Sequence, residues 1–266
     1  MNIKINGLTM NYQERGLPQG PPVVFVHGFP FSHAMWDAQM MSLPQEIRAI
    51  SYDVRGHGQS DPGDGQYSIE FFVDDLIGLL DHLGIKQSVI CGLSMGGYVA
   101  LRTAERHPER VRALVLCDTR SEADPNEAKV KRAGQAKTVK ETGAKPFAEG
   151  FVKAVFAPAS FQSNPKAVDA IKAVISNTSP LAIAGTLLAL AARTDTTASL
   201  SAIKVSTLIM VGELDTLTPP AASESMHKLI KGSALHVIPG AAHMSNLENP
   251  AFFNSHLVDF LKTIAG

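Results

Sequence analysis

The sequence predicts an α/β fold in which helices cover both faces of a mostly parallel sheet. Short runs of β-branched and aromatic residues alternate with stretches of helical periodicity over most of the chain. Several runs, such as Val23–Val26, are apolar at every position, which is typical of strands buried on both faces. One long segment, residues 120–203, has helical periodicity only. The chain is therefore expected to combine an alternating core with one helical insertion.

The first two predicted strands differ from the rest. Ile3 and Ile5 alternate with polar neighbours, and residues 8–14 alternate again after Gly7. This pattern indicates an antiparallel hairpin with one face toward solvent. The eight predicted strands of the sheet are residues 3–5, 8–14, 23–26, 48–52, 88–91, 111–117, 207–211 and 234–238.

Helix start and stop signals lie between these strands. Ser68 is an N-cap candidate and Gly84 a C-terminal stop for a helix whose apolar residues form one stripe. Asn249 followed by Pro250 suits the start of the last helix. The predicted core helices cover residues 68–83, 94–107, 219–230 and the chain after 249.

The segment from Arg120 to Ile203 is predicted to hold four helices, near residues 126–141, 146–156, 165–176 and 180–193. We interpret it as a lid over the strand ends, because no Gly-, Ser- or charge-rich linker separates it from the sheet. A second helical domain with its own role is the alternative. The expected division is a core of residues 1–119 and 204–266 and a lid of residues 120–203.

Composition narrows the classes of function. Of 266 residues, 45% are apolar and 18% charged, as in globular proteins, and 24 Lys and Arg against 25 Asp and Glu give a net charge of −1. Such a balance does not favour nucleic acid or an anionic membrane as a partner. No apolar stretch has the length of a membrane span or the pattern of a signal peptide, so we expect a cytoplasmic protein. The two cysteines, Cys91 and Cys117, lie in apolar runs and are expected to be buried, reduced thiols.

The sharpest motif is Gly92-Leu93-Ser94-Met95-Gly96, between a predicted strand and a predicted helix. That context is the one required by the G-x-S-x-G nucleophile elbow. The turn from strand to helix takes about one residue, so Ser94 is expected in a strained conformation with its hydroxyl above the sheet edge. The N–H of Met95, at the positive end of a helix, would face any oxyanion formed there.

A serine nucleophile needs a base, and the base needs an orienting acid. Among nine histidines, His243 lies in a small-residue loop after the last strand, and His27 and His57 also follow strands. Asp215 and Asp118 each come just after a predicted strand, so either could be the acid.

The order Ser94, Asp215, His243 along the chain is the order expected of the α/β-hydrolase fold. The sequence resembles the α/β-hydrolase superfamily over about residues 20–264. The resemblance implies an α/β-hydrolase fold with a mostly parallel eight-stranded sheet and a helical lid. The motifs that carry it, beside the elbow, are residues 24–29, 52–60, 212–215 and 240–243.

The resemblance implies a role for each site residue. Ser94 would be the nucleophile, His243 the general base and then acid, and Asp215 the residue that orients it. The backbone N–H groups of Phe29 and Met95 would form the oxyanion hole.

Four other residues are assigned by the same resemblance. His27 and His57 would hold loops rather than move protons. Glu213 would face away or stabilise the acid loop, which is the segment after the strand 207–211 that carries Asp215. Asp118 stays the alternative acid, because some members of the superfamily place the acid after that earlier strand.

Because the nucleophile is serine, the expected reaction is acyl transfer to water. The first hypothesis is a carboxylesterase for small esters. The second is a lactonase, since residues 27–36 are similar to both small bacterial carboxylesterases and 3-oxoadipate enol-lactonases. The third, from another class, is a slow-turnover ligand receptor or signalling protein with a hydrolase fold. No cluster has metal-ligand spacing, so no metal or cofactor is expected.

Substrate contacts are expected from aromatic residues and from the lid. The candidate pocket residues beside Phe29 are Phe31, Trp36, Phe147, Phe151 and Phe156. A lactonase for an anionic substrate should also place one lid cation in the pocket, from the set Lys129, Lys131, Arg132, Lys137, Lys140, Lys145, Lys153, Lys166, Lys172 and Arg193. The expected partner is a small ester or lactone, and the sequence does not predict the oligomeric state.

Overall fold

One sheet of eight strands runs through the computed structural model, which describes residues 1–265. The strands are β1 (Asn2–Ile5), β2 (Leu8–Arg15), β3 (Pro22–Val26), β4 (Arg48–Tyr52), β5 (Ser88–Leu93), β6 (Val111–Cys117), β7 (Thr207–Gly212) and β8 (Ala234–Ile238). Their order in the sheet is β1-β2-β4-β3-β5-β6-β7-β8, antiparallel at β1–β2 and β2–β4 and parallel elsewhere. This confirms the mostly parallel sheet and the N-terminal hairpin.

Helices cover both faces of the sheet, and Ser68 and Gly84 act as predicted. The Ser68 side chain accepts a hydrogen bond from the Phe71 N–H, and Gly84 has a φ of +66°, which suits a helix stop. The α-helices of residues 1–265 are α1 (Asp37–Ser42), α2 (Ile69–His82), α3 (Met95–Arg106), α4 (Asn126–Thr142), α5 (Ala144–Val155), α6 (Ser160–Ser163), α7 (Pro165–Asn177), α8 (Pro180–Ala191), α9 (Pro220–Leu229), α10 (Ser245–Glu248) and α11 (Pro250–Ala265).

The alternation of side chains along the central strands builds two cores. On β5, Ile90 packs into the core on one face, while Val89 and Cys91 pack into the core on the other. All six residues of β5 are buried, which explains why the sequence is apolar at every position from Val89 to Cys91.

The segment between β6 and β7 is helical, as predicted, and is called the helical insertion below. Within it α4 packs against α8, and α5 packs against α7. Helix α5 begins at Ala144 rather than at the predicted Pro146, because the first turn of a helix tolerates proline. The short helix α6 was not predicted, since four residues are too few to show periodicity.

By length and composition, no helix within residues 1–265 could cross a membrane by itself. Helices α7 and α8, which are bent by 98° at their junction, pass that test only as a pair.

Candidate active site

Ser94 lies at the tight turn between β5 and α3. Its φ of 54° and ψ of −112° lie in a region that non-glycine residues rarely adopt, so the backbone is strained there. Glycine is required on both sides: a Cβ at Gly92 would lie 2.1 Å from the Gly96 oxygen, and one at Gly96 would lie 2.1 Å from the Val26 oxygen. The local sequence therefore folds into the elbow that its motif predicted.

Asp215 and His243 meet although 28 residues separate them. Asp215 follows β7 and His243 follows β8, and these strands are parallel neighbours whose carboxyl ends lie at one edge of the sheet. His243 Nδ1 lies 2.8 Å from Asp215 Oδ2, and both residues are buried. This bond fixes the tautomer that leaves Nε2 free to accept a proton.

The acid loop holds Asp215 with further hydrogen bonds. Its Oδ1 accepts the N–H groups of Leu217 and Thr218 at 2.8 and 3.0 Å, and its Oδ2 accepts the Thr218 hydroxyl at 2.6 Å. Burial acts to raise the pKa of Asp215, but the charge and hydrogen bond of His243 and the Thr218 bonds outweigh it and hold the pKa below its usual value. Sequence reasoning missed Thr218, whose only signal was its place three residues after the acid.

Asp118, the alternative acid, is buried beside this pair. Its Oδ1 accepts the Gly212 N–H at 2.8 Å, and its Oδ2 accepts a short hydrogen bond from the Ser245 hydroxyl. Burial, and then the charge of Asp215, raise the pKa of Asp118 well above its usual range. Asp215, not Asp118, makes the hydrogen bond to His243.

Asp118, Asp215 and His243 carry ligand atoms of the kinds that bind metal ions, and these atoms lie close together. One ligand atom of each lies within 4.8 Å of the others, a convergence that spacing along the chain did not predict. Hydrogen bonds to His243, Thr218, Gly212 and Ser245 already occupy the carboxylate oxygens, so the set fits a hydrogen-bond network better than a cation site.

The proposed oxyanion donors are available. Among residues 1–265, neither the Phe29 nor the Met95 backbone N–H donates a hydrogen bond. His27 precedes Phe29 in the loop after β3. Its ring hydrogen-bonds the Gly28 carbonyl and accepts the Val54 N–H at 3.0 Å. It therefore links the Phe29 loop to the turn after β4, which fits a structural role.

A cavity of about 370 Å³ joins the serine to the histidine. Within the described chain no hydrogen bond connects the Ser94 hydroxyl to His243. Bonds of this kind often tighten only when substrate is bound. The lining residues are Phe29, Ser94, Tyr98, Arg120, Asp124, Pro125, Ala128, Lys131, Arg132, Gln135, Phe151, Ala154, Leu190, Leu217, Thr218 and His243.

The aromatic residues predicted for the pocket lie in two different places. Phe29 and Phe151 line the cavity, whereas Phe31, Trp36 and Phe156 are at most 3% exposed and pack in the core below. Trp36, for example, lies between Phe25 and Phe253, because its turn directs it toward the sheet. Phe147 stacks on Phe151 at 5.3 Å and does not line the cavity itself.

Three cationic residues, called the cationic wall below, line the cavity. They are Arg120, Lys131 and Arg132, and they line it together with a single carboxylate, Asp124. Asp124 is shared by two guanidinium groups, those of Arg132 and Arg193. Burial acts to raise the pKa of Asp124, but Arg132 and then Arg193 hold it below its usual value.

Arg120 lines the cavity although it is not one of the predicted lid cations, whereas Arg193 is one of them and does not line it. Arg120 precedes the helices, so its contribution to the cavity was not foreseen. Arg193 is buried, with its guanidinium 4.4 Å from the centre of the Tyr98 ring. Arg193 contacts the cavity lining through its ion pair with Asp124 and does not line the cavity itself.

The glutamate of the acid loop has a defined partner. Glu213 Oε2 accepts the Gly240 N–H at 2.9 Å. Glu213 therefore ties the acid loop to the loop that carries His243, close to the stabilising role that the resemblance implied.

Comparisons with known proteins agree with this geometry. The family model for the alpha/beta hydrolase fold matches residues 21–250. The chain is 31% identical over 252 residues to 3-oxoadipate enol-lactonase 2 of Acinetobacter baylyi, a match that covers 95% of this chain and 92% of the relative.

Two solved structures are similar along nearly the whole chain. A thermophilic esterase from Thermogutta terrifontis, with malate bound, has a TM-score of 0.96 at 35% identity and full coverage of both chains. The enol-lactonase from Burkholderia xenovorans has a TM-score of 0.92 at 30% identity and covers 98% of this chain and 100% of its own. The chain therefore belongs to the alpha/beta hydrolase family and is a hydrolase whose relatives include esterases and lactonases.

Proposed function

We propose that the protein is a serine hydrolase that cleaves small carboxylic esters through a Ser94–His243–Asp215 triad. The observation that carries this proposal is the strained elbow at Ser94, which opens into the same cavity as His243. The 2.8 Å bond from His243 to Asp215 supports the role of the acid.

In the proposed mechanism, the Ser94 hydroxyl attacks the ester carbonyl while His243 Nε2 takes its proton. The N–H groups of Phe29 and Met95 stabilise the tetrahedral oxyanion, and His243 then protonates the leaving alkoxide. Water attacks the acyl-enzyme with His243 again as the base, and His243 returns the proton to Ser94 as the bond to the acyl group breaks and the carboxylic acid leaves. Asp215 holds the imidazole orientation and stabilises the imidazolium throughout.

The helical insertion acts in this proposal as the lid, and residues 1–119 and 204–266 act as the core. Helices α4 and α5 bring Lys131, Arg132 and Phe151 to the cavity, while the core supplies Ser94 and His243. The core thus carries the reacting groups, and the lid contributes to substrate choice.

A lactonase for an anionic substrate is the second candidate, and the cationic wall favours it. Lys131 forms no ion pair with any residue between 1 and 265, and Arg120 is held only by the half-exposed Glu122 at 3.3 Å. A carboxylate on the substrate would form ion pairs with Lys131 and Arg120. The similarity to enol-lactonases supports the same substrate class.

The test is a panel of p-nitrophenyl esters of rising chain length, assayed beside simple lactones. Ser94→Ala should abolish turnover and keep the unfolding temperature of the parent. Activity retained by this variant would remove Ser94 from the mechanism.

A second pair of substrates separates the candidates. For Lys131→Ala we expect KM for an ester with a free carboxylate, such as mono-p-nitrophenyl glutarate, to rise about tenfold, the loss of a charge-assisted contact. KM for p-nitrophenyl acetate should stay unchanged. Lys137→Ala on the exposed face of α4 is the matched control. Equal effects on both substrates would count against the anionic candidate.

A further inference from the structure

Glu248 ties the loop that carries His243 to the helical insertion. Its Oε2 accepts the Ala242 N–H at 2.8 Å, from the residue just before the histidine. Its Oε1 accepts the Ala157 N–H at 2.7 Å and the Ser160 hydroxyl at 2.6 Å, both from the insertion. One half-buried carboxylate thus bridges two separate parts of the fold.

A second bond links the same two parts on the other side of the histidine. The Met244 N–H donates to the carbonyl of Val155, the last residue of α5, at 3.1 Å. The peptide N–H groups of the two residues that flank His243 therefore bond to Val155 at the end of α5 and to Glu248, which itself accepts hydrogen bonds from the segment just after α5.

Helix α5 also touches the substrate cavity. Phe151, one turn before Val155, lines the cavity and lies 5.8 Å from the Phe29 ring. One of the helices that border the cavity therefore also contacts the loop that carries His243.

We propose that Glu248 is a positioning residue, which sets the imidazole of His243 against Ser94 by fastening its loop to the end of α5. This inference rests on the proposed role of His243 as the base. Without the carboxylate, the Ala242 N–H and the α5 end each lose their common acceptor, and the imidazole moves relative to the hydroxyl. Substrate binding would be affected less than the chemical step, because Glu248 does not line the cavity.

The experiment compares kcat and KM of the full chain and its variants with p-nitrophenyl acetate, beside the unfolding temperature of each. Glu248→Ala removes all three bonds. Glu248→Gln keeps one accepting oxygen, and it becomes the test variant if Glu248→Ala does not fold. Glu149→Gln is the matched control, an exposed α5 carboxylate that lies 3.6 Å from Lys172 Nζ.

We expect kcat of Glu248→Ala to fall at least about tenfold, the scale of a small misplacement of a reacting group, with KM within about threefold. Glu248→Gln should lie between this variant and the parent, and Glu149→Gln should match the parent. A smaller loss in kcat, or a rise in KM that accounts for the whole loss of efficiency, overturns the proposal even if the unfolding temperature falls.

The parent and Ser94→Ala separate this result from failure of the proposed function. A parent without esterase activity, or an active Ser94→Ala, refutes the proposed function itself. An active parent, an inactive Ser94→Ala and a fully active Glu248→Ala refute only the role of Glu248.

Discussion

Asp118 accepts a hydrogen bond from the Gly212 N–H at 2.8 Å, which sets its carboxylate against the start of the acid loop. The same carboxylate receives the Ser245 hydroxyl, next to the histidine loop. Asp118 therefore braces the two loops that carry Asp215 and His243, and this difference in partners makes the two acids distinguishable by mutation.

Asp215→Asn should lower kcat by about 10³–10⁴-fold, because an amide favours the wrong imidazole tautomer. Asp118→Asn should stay within a few-fold of the parent. Its amide oxygen can accept from Gly212 and its NH₂ can donate to the Ser245 oxygen. Hydrolysis of p-nitrophenyl acetate measures both, and the reverse ranking would give the acid role to Asp118.

Two helical glycines should respond in opposite ways to alanine. A Cβ at Gly97 would lie 2.3 Å from Thr119 Oγ1, which also donates to the Ser94 carbonyl at 2.8 Å. Gly97→Ala should therefore lower the free energy of unfolding by about 1–3 kcal/mol through overpacking.

Gly134 on α4 is the control for that change, since an added Cβ there meets nothing within 4 Å. Gly134→Ala should raise the free energy of unfolding by about 0.5–1 kcal/mol through helix propensity. Urea denaturation measures both variants, and a loss of stability in Gly134→Ala would contradict the open space at this position.

Two buried histidines should make stability fall as the pH falls. Burial lowers the pKa of His57 to about 4 and that of His27 to about 3. Below the ordinary value near pH 6.5, the unfolded chain binds protons that the folded chain does not take up until it reaches these lower values. The free energy of unfolding should thus fall from about pH 6.5 to pH 4, by on the order of 1 kcal/mol per pH unit for each histidine.

Urea denaturation at pH 7, 6 and 5 measures this slope above the range in which carboxylates with an ordinary pKa titrate. Asp118, whose pKa is raised, contributes equally to the parent and to His57→Asn, so the difference between the two slopes belongs to His57. His57→Asn should make the slope shallower by the share of one histidine. An unchanged slope would show that His57 does not contribute to the pH dependence.

The two thiols should be inert in the native protein. Cys91 and Cys117 are free and fully buried on neighbouring strands, and burial raises the pKa of Cys117. We expect no reaction with dithionitrobenzoate in buffer and two thiols per chain in guanidinium. Stoichiometric labelling of the native protein would contradict the packing of β5 against β6.

The sequence was most informative where local rules decide the structure. The apolar strands, the Ser68 cap and the glycines around Ser94 all follow from short-range sterics and hydrogen bonding, and each was predicted. The pairing of Asp215 with His243 was accessible because the carboxyl ends of parallel strands meet at one edge of the sheet.

The direction of side chains was not accessible in the same way. Trp36 looked like a pocket residue, yet a short turn directs it into the core. Arg120 and Thr218 reach the cavity from loops whose paths depend on contacts far away in the chain. Periodicity carries no information about such positions.

Asp215 also shapes the space that a substrate enters. The two N–H groups it fixes belong to Leu217 and Thr218, which themselves border the cavity. Under the proposed mechanism, a redesign of that border would disturb proton transfer together with substrate choice. Within residues 1–265 the α4 border, which carries Lys131 and Gln135, has no hydrogen bond to Asp215 or His243, so an engineer seeking a new substrate range has more freedom there.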